Sequence, residues 1–197
     1  LITLGSPHEG AADAYVAWEG GQYPSGWQGP IRYRVNQIEK ALFETRNQPN
    51  LRRPESFRSF FPSLRDMLPI NDFVSQDGDP LVITELTEQN QFLKNLHDTI
   101  STIVNKGVKL FTIAGTSVKT LGEVNVTAER TYEDEQLNRW RDGHPNPETP
   151  PLDSDVGDAR VLTASAHVGK HNYTIPGAVH HKLPDKAQDK VFEILGL

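Results

Sequence analysis

An aspartate and a pair of histidines carry the chemistry that this sequence offers. Asp158 lies in the segment VGDARVLTASA, and His180 and His181 come directly after an apolar segment, residues 173–179. A carboxylate can hold an imidazole in one tautomer and stabilise its protonated form, and the imidazole can then deprotonate a nucleophile. These residue types predict an acid–base pair, with Asp158 as the acid, His180 as the base and His181 as the alternative base.

Simpler explanations of the same residues stay open. An aspartate in a glycine-rich, acidic loop commonly bonds its own backbone and forms a turn. Two adjacent histidines before a helix are commonly surface or capping residues. The pair can act as acid and base only if the fold brings Asp158 within hydrogen-bond reach of His180 or His181.

Three short apolar segments predict the strands that position these residues. Residues 1–4 have the composition of the end of a buried strand, residues 108–116 (VKLFTIAGT) predict a second strand, and residues 173–179 a third. Helical segments separate them, and buried strands that alternate with helices predict a parallel α/β sheet. Loops at the carboxyl ends of such strands are where sites form.

The segments between the strands are predicted as helices and loops. Apolar residues keep helical spacing over residues 31–42 and over residues 86–106, where the following Gly107 supplies a C-cap. The final segment LPDKAQDKVFEILGL predicts a helix with Pro184 in its first turn. Residues 133–154 are predicted to be a polar loop, because prolines at four positions disfavour a helix or a central strand.

Aromatic residues near the start of the chain have two explanations. Tyr15, Trp18 and Trp27 can line an apolar substrate channel, and aromatic packing beneath a loop explains them equally well. The aromatic and basic stretch over residues 57–67 leaves the same choice between core and acyl-binding surface. We carry the three aromatics forward as candidate substrate-binding residues.

Composition excludes several classes of function. A net charge of −6 with dispersed Lys and Arg argues against nucleic acid as a partner, because phosphate recognition needs a clustered positive surface. The chain has no cysteine and no His-Glu-x-x-His motif, so no metal site and no cofactor are expected. No apolar run approaches the ~20 residues that span a bilayer, so no transmembrane segment is expected. The cellular compartment stays open.

Four segments, in order along the chain, resemble a known family. LITLGSPHEGA is similar to the strand and turn that follow the nucleophile helix in lipases, and FFPSLRDMLP followed by NQFLKNL resembles an insertion of the lecithin:cholesterol acyltransferase-like hydrolases. VGDARVLTASA is similar to their acid loop, G-D-G-T-V-x-x-x-S, and VHHKLPDKAQDKVFEIL to their His-x-x-Leu ending. Ala159 and Arg160 depart from the family pattern, which has Gly and Thr there. The His-x-x-Leu spacing favours His180, because it places Leu183 as the apolar anchor.

The resemblance implies the carboxyl-terminal portion of an α/β-hydrolase fold, with parallel strands and a helical, lid-type insertion. Residues 1–197 would form a single partial domain, in which 20–106 are the insertion and 107–197 carry the acid and histidine loops. The implied activity is that of a serine esterase, lipase or acyltransferase on ester or acyl-lipid substrates. Gly-x-Ser-x-Gly does not occur in the chain, and Ser6 is not expected to be the nucleophile, so the nucleophile serine is expected upstream of Leu1.

A non-catalytic role is the alternative. An α/β-hydrolase-like module used for binding or assembly would keep Asp158 and His180 as structural residues, and without the upstream serine the chain would be inactive alone. In either case, a sheet of about three parallel strands leaves one edge of the first strand open. We expect the upstream part of the same protein, or a second copy, to cover that edge.

Overall fold

The computed structural model describes residues 1–21, 53–146, 152–154 and 156–197. The helix predicted over residues 31–42 lies outside these ranges. The strands are β1 (Ile2–Leu4), β2 (Val74–Gln76), β3 (Asp79–Leu81), β4 (Phe111–Thr116), β5 (Thr120–Thr127), β6 (His144–Pro145), β7 (Leu152–Ser154) and β8 (His171–Pro176).

The helices, numbered in chain order, are α1 (Ala12–Gly20), α2 (Arg53–Phe60), α3 (Gln91–Asn105), α4 (Tyr132–Gln136), α5 (Thr163–Ala166), α6 (Leu183–Lys186) and α7 (Gln188–Leu195). Single 3₁₀ turns cover Pro62–Met67, Ile83–Glu85 and His180–Lys182. The predicted final helix is therefore present, but it is interrupted at Ala187 between α6 and α7.

The three predicted strands form one parallel sheet in the order β1-β4-β8. Ile113 of β4 lies opposite Leu4 on one side and Tyr173 on the other. The carboxyl ends of all three strands therefore meet at the same edge of the sheet. This confirms the predicted parallel α/β arrangement.

The helix predicted before β4 is present, but it begins at Gln91 rather than at residue 86. The side chain of Asn90 accepts a hydrogen bond from the main-chain N–H of Leu93, which caps the start of α3. Gly107 follows the helix with a φ of 86°, a left-handed conformation that a glycine adopts at little cost. Sequence spacing and cap chemistry together account for both ends of α3.

A second sheet, in the order β3-β2-β5-β6 with β7 on β5, was not predicted. Two of its strands, β2 and β3, lie within the range predicted as a helical insertion, so the described part of that range is not helical throughout. Asp77 and Gly78 join them with φ angles of 51° and 95°. An Asp-Gly pair with both φ angles positive is a strong signal for a two-residue hairpin turn.

The prediction of a plain loop over residues 133–154 was wrong. The range contains most of α4 and both short strands β6 and β7. Thr131 and Asp134 form a capping box, in which the Thr131 hydroxyl accepts from the Asp134 N–H and the Asp134 carboxylate accepts from the Thr131 N–H. This cap lies before the first proline of the range, and it stabilises a short helix there.

The larger apolar core lies between α1 and the second sheet. Tyr15 of α1 packs edge-on against Phe73 with ring centroids 5.1 Å apart. The buried members of this core are Ala12, Ala14, Tyr15, Trp18, Leu68, Phe73, Val74, Leu86, Val124, Val126 and Trp140. The helix that follows β1 is thus anchored in the second sheet, which joins the two sheets into one structure.

Candidate active site

Asp158 and His180 lie in direct contact. The Nδ1 atom of His180 is 2.8 Å from Oδ2 of Asp158, and the main-chain N–H of His180 donates to the Asp158 carbonyl at 2.8 Å. Asp158 is buried, with 1 % of its surface exposed, whereas the His180 side chain is 42 % exposed. An ionised carboxylate can only accept, so Nδ1 carries the proton of this contact, and Nε2 is unprotonated when the imidazole is neutral.

The carboxyl ends of β1, β4 and β8 bring these residues together. Gly5 follows β1 with a φ of 56°, and a Cβ on it would lie 3.0 Å from Oδ2 of Asp158 and 3.1 Å from Nδ1 of His180. A Cβ on Gly115 in β4 would lie 2.6 Å from the Asp158 Cβ. Both positions exclude a side chain, because the backbone itself packs against the acid–base pair.

The loop that carries Asp158 is held by its own backbone. Oδ1 of Asp158 accepts from the N–H groups of Arg160 at 3.0 Å and Val161 at 2.8 Å. Ala159 has a φ of 75°, and its N–H donates to the hydroxyl of Thr120 at 2.9 Å. The turn chemistry expected of an aspartate in such a loop is therefore present, and it uses Oδ1 while Oδ2 stays available for His180.

The charge environment raises the basicity of His180. The hydrogen bond to Asp158 raises the pKa of His180 above its ordinary value of 6.5, as does the negative charge of that carboxylate. Burial and the nearby positive charge of Arg160 act in the opposite direction and lower the pKa. The net direction is upward, which suits a group that must accept a proton near neutral pH.

Arg160 was not singled out as a functional residue by its sequence. Its guanidinium Nη1 donates to Oδ2 of Asp13 in α1 at 2.7 Å, and the side chains are 26 % and 9 % exposed. The two residues are separated by 147 positions, so no local pattern connects them. The only sequence signal is that Arg160 is a charged residue at a position where the acid loop of the resembled family has threonine.

The other candidate residues lie elsewhere. His181 is exposed in the same 3₁₀ turn, and in the described part of the chain it makes no hydrogen bond to Asp158. Tyr15 and Trp18 are buried in the core, where Tyr15 donates its hydroxyl proton to Asp142 at 3.0 Å. Packing, the explanation that the sequence left open, accounts for both aromatics. Trp27 lies outside the described residues.

The described ranges also bear on metal binding and on membrane insertion. Within them, no group of three or more His, Cys, Asp or Glu residues has the arrangement to hold a metal ion. None of the helices described there is both long enough and apolar enough to cross a bilayer.

Comparison with known proteins does not identify a family for this chain. No protein-family model and no curated protein matches the chain.

Proposed function

We propose that this chain is the carboxyl-terminal part of a serine hydrolase, an esterase, lipase or acyltransferase, in which Asp158 and His180 are the acid and base of a catalytic triad. The observation that carries the proposal is the 2.8 Å contact between Nδ1 of His180 and Oδ2 of the buried Asp158. Its position supports the proposal too, because loops at the carboxyl ends of parallel strands are the usual place for a site.

In the proposed reaction His180 moves the proton. Its Nε2 takes the proton from a serine hydroxyl as that oxygen attacks the ester carbonyl, and later gives it to the departing alcohol. Asp158 keeps the proton on Nδ1 and stabilises the imidazolium that forms between these steps. Water or an acceptor alcohol then releases the acyl group, and the two acceptors correspond to hydrolysis and acyl transfer.

The serine is proposed to come from a further strand–turn–helix segment of the same protein. Within the described residues β1 pairs with β4 alone, and its other edge is open to another strand. A parallel strand added there would end beside Gly5, whose backbone packs against both Asp158 and His180. Covering this edge would also bury Ile2 and Leu4, as parallel sheets require. We propose that one structural element, a further strand on this edge, would meet both partner expectations, an upstream segment and a covered edge.

The substrate class is proposed to be an acyl ester or an acyl-lipid. Support comes from the resemblance to lecithin:cholesterol acyltransferase-like hydrolases in the four segments LITLGSPHEGA, FFPSLRDMLP, VGDARVLTASA and VHHKLPDKAQDKVFEIL. The structure supports the order of these segments, since strand, acid loop and histidine follow one another around the same sheet edge. The insertion between β1 and β4 is the segment proposed to govern access to the acyl chain.

Hydrolysis of short and long acyl esters by the full-length protein tests the proposal. Asp158→Asn and His180→Ala should each lower kcat/KM by about 10²–10⁴-fold, the range for removing a general acid–base group. Two variants are matched controls, His181→Ala, which removes the neighbouring imidazole, and Asp185→Asn, which changes an exposed carboxylate. Both should keep activity close to that of the wild type.

A fluorophosphonate probe, which labels activated serines, gives the second readout. Labelling of one serine that is lost in His180→Ala supports the triad, and mass spectrometry of the labelled peptide identifies that serine. If the full-length protein neither hydrolyses esters nor accepts the label, the non-catalytic binding module is the better description. If His181→Ala and not His180→Ala abolishes activity, the base is wrongly assigned.

A further inference from the structure

We propose that Arg160 is a positioning residue, which holds the acid loop against α1 so that the Asp158 carboxylate faces His180. This inference rests on the proposed function in treating Asp158 and His180 as acid and base. Arg160 is one of the two residues at which the acid loop departs from the family pattern. Its test requires no turnover, so it can fail or succeed independently of the esterase activity.

Arg160 joins the two sides of the loop through separate groups. Its main-chain N–H donates to Oδ1 of Asp158 at 3.0 Å, which is the oxygen that does not contact His180. Its guanidinium donates to Oδ2 of Asp13 at 2.7 Å. A charge-assisted bond between two largely buried side chains is stronger than an exposed ion pair. The position of the Arg160 main chain, and with it one hydrogen bond to the carboxylate, is thereby fixed to α1.

The loop needs such an anchor because its backbone is strained. Ala159, between the acid and Arg160, has a φ of 75°, which costs a residue with a Cβ more than it costs glycine. The N–H of Ala159 is held by the Thr120 hydroxyl on one side, and the Arg160–Asp13 pair holds the chain one residue later. Without the pair, we expect the turn to relax and the Asp158 carboxylate to rotate away from Nδ1.

A purely electrostatic role for Arg160 is the alternative that the test must separate. The charged groups that act on His180 are Asp158 and Arg160, and Gly5, which packs from the β1 side, has no side chain. Loss of the Arg160 charge alone would raise the pKa of His180, whereas loss of the Asp158 contact would lower it. Removing the Arg160 guanidinium removes its charge under either role, so in the positioning role the two opposite shifts of the titration midpoint offset each other. The hydrogen bond is therefore observed directly.

The measurement is the proton NMR signal of the His180 Nδ1–H in the full-length protein with ¹⁵N-labelled histidine. A proton shared between imidazole and carboxylate resonates far downfield. The Asp158→Asn variant, which lacks the carboxylate, shows the spectrum without this signal. Arg160→Met keeps the alkyl stem of the side chain and removes the guanidinium. Arg139→Met is the matched control, because Arg139 pairs with a different buried aspartate, Asp134 of α4.

If Arg160 positions the acid, Arg160→Met reduces the downfield signal at least twofold, Arg160→Lys restores it in part, and Arg139→Met leaves it unchanged. Asp13→Asn, which keeps the shape of the anchor, should reduce it as well. This variant serves if Arg160→Met does not fold. A signal that survives in both Arg160→Met and Asp13→Asn at wild-type intensity overturns the proposal and leaves Arg160 a purely electrostatic neighbour.

Discussion

His180 is joined to Asp158 twice, by its main-chain N–H to the Asp158 carbonyl and by its ring to the Asp158 carboxylate, both at 2.8 Å. The first bond fixes where the histidine backbone lies relative to the acid loop. The second then orients the ring without further movement of the chain. A pair held in this way is preorganised, so proton transfer does not require the side chains to find one another.

The pH dependence of catalysis should follow His180. The base works in its neutral form, and Asp158 holds the pKa of His180 above 6.5, so kcat/KM should rise with pH through that raised pKa. Asp158→Asn removes the strongest cause of the shift. The rising limb should therefore move to lower pH while the rate falls on the order of 10⁴-fold, the loss seen when a triad aspartate becomes an amide.

Ester hydrolysis across pH 5–9 measures the limb, and the NMR titration of the His180 ring protons measures the same pKa where activity is too low. Asp185→Asn is the control for a general loss of negative charge and should leave the midpoint in place. A midpoint that does not move in Asp158→Asn would show that the 2.8 Å contact does not govern the protonation of His180.

The order of elements around the candidate site could be predicted because its signals are local. β4 is a short apolar segment, and the apolar segment 173–179 overlaps β8. Asp158 comes after β4 in the chain, and His180 comes after β8. Parallel pairing then brings the ends of these segments to one edge. What the pattern alone could not decide was the choice between His180 and His181, since both follow the same strand and only the turn geometry selects the ring that meets Asp158.

Two other features had different reasons for being missed. The β2–β3 hairpin carries a local signal in Asp77-Gly78, but the surrounding aromatic and basic residues obscured it. The Arg160–Asp13 pair carries no local signal, because its members are 147 residues apart and meet only when β1 and α1 pack beside the acid loop. Long-range pairing of this kind depends on the whole fold rather than on sequence spacing.

Backbone strain at Ala159 gives a prediction for stability. Its φ of 75° is a left-handed conformation, which costs an L-residue about 1–2 kcal/mol. Glycine avoids this cost, but it also raises the conformational entropy of the unfolded chain, which offsets part of the gain. Ala159→Gly should therefore raise the free energy of unfolding by about 1 kcal/mol. Urea denaturation at neutral pH measures this change as a higher midpoint with an unchanged slope.

The matched control for that substitution is Ala187→Gly. Ala187 has a right-handed φ of −93° at the junction of α6 and α7, so glycine there should lower the free energy of unfolding by about 1 kcal/mol. If both substitutions destabilise to the same extent, the acid loop does not hold Ala159 in a strained conformation.

The buried carboxylate of Glu19 gives the last prediction. It is fully buried at the end of α1 and pairs with Arg58 at 3.2 Å and with Arg141. The Arg58 guanidinium also donates to the Trp18 carbonyl, which fixes it beside the core. Removing the Glu19 charge takes away the carboxylate that pairs with Arg58, and it leaves Arg141 with its 3.5 Å contact to Glu88. Glu19→Gln should therefore lower the free energy of unfolding by about 3–5 kcal/mol, the usual cost of breaking a buried ion pair.

Glu193→Gln is the surface counterpart, because Glu193 pairs with Lys190 one helical turn away and is 65 % exposed. This variant should cost less than about 1 kcal/mol. Urea unfolding of both variants at the same pH and salt makes the comparison direct. Equal small losses would mean that the contacts of Glu19 with Arg58 and Arg141 add little net stability to the fold.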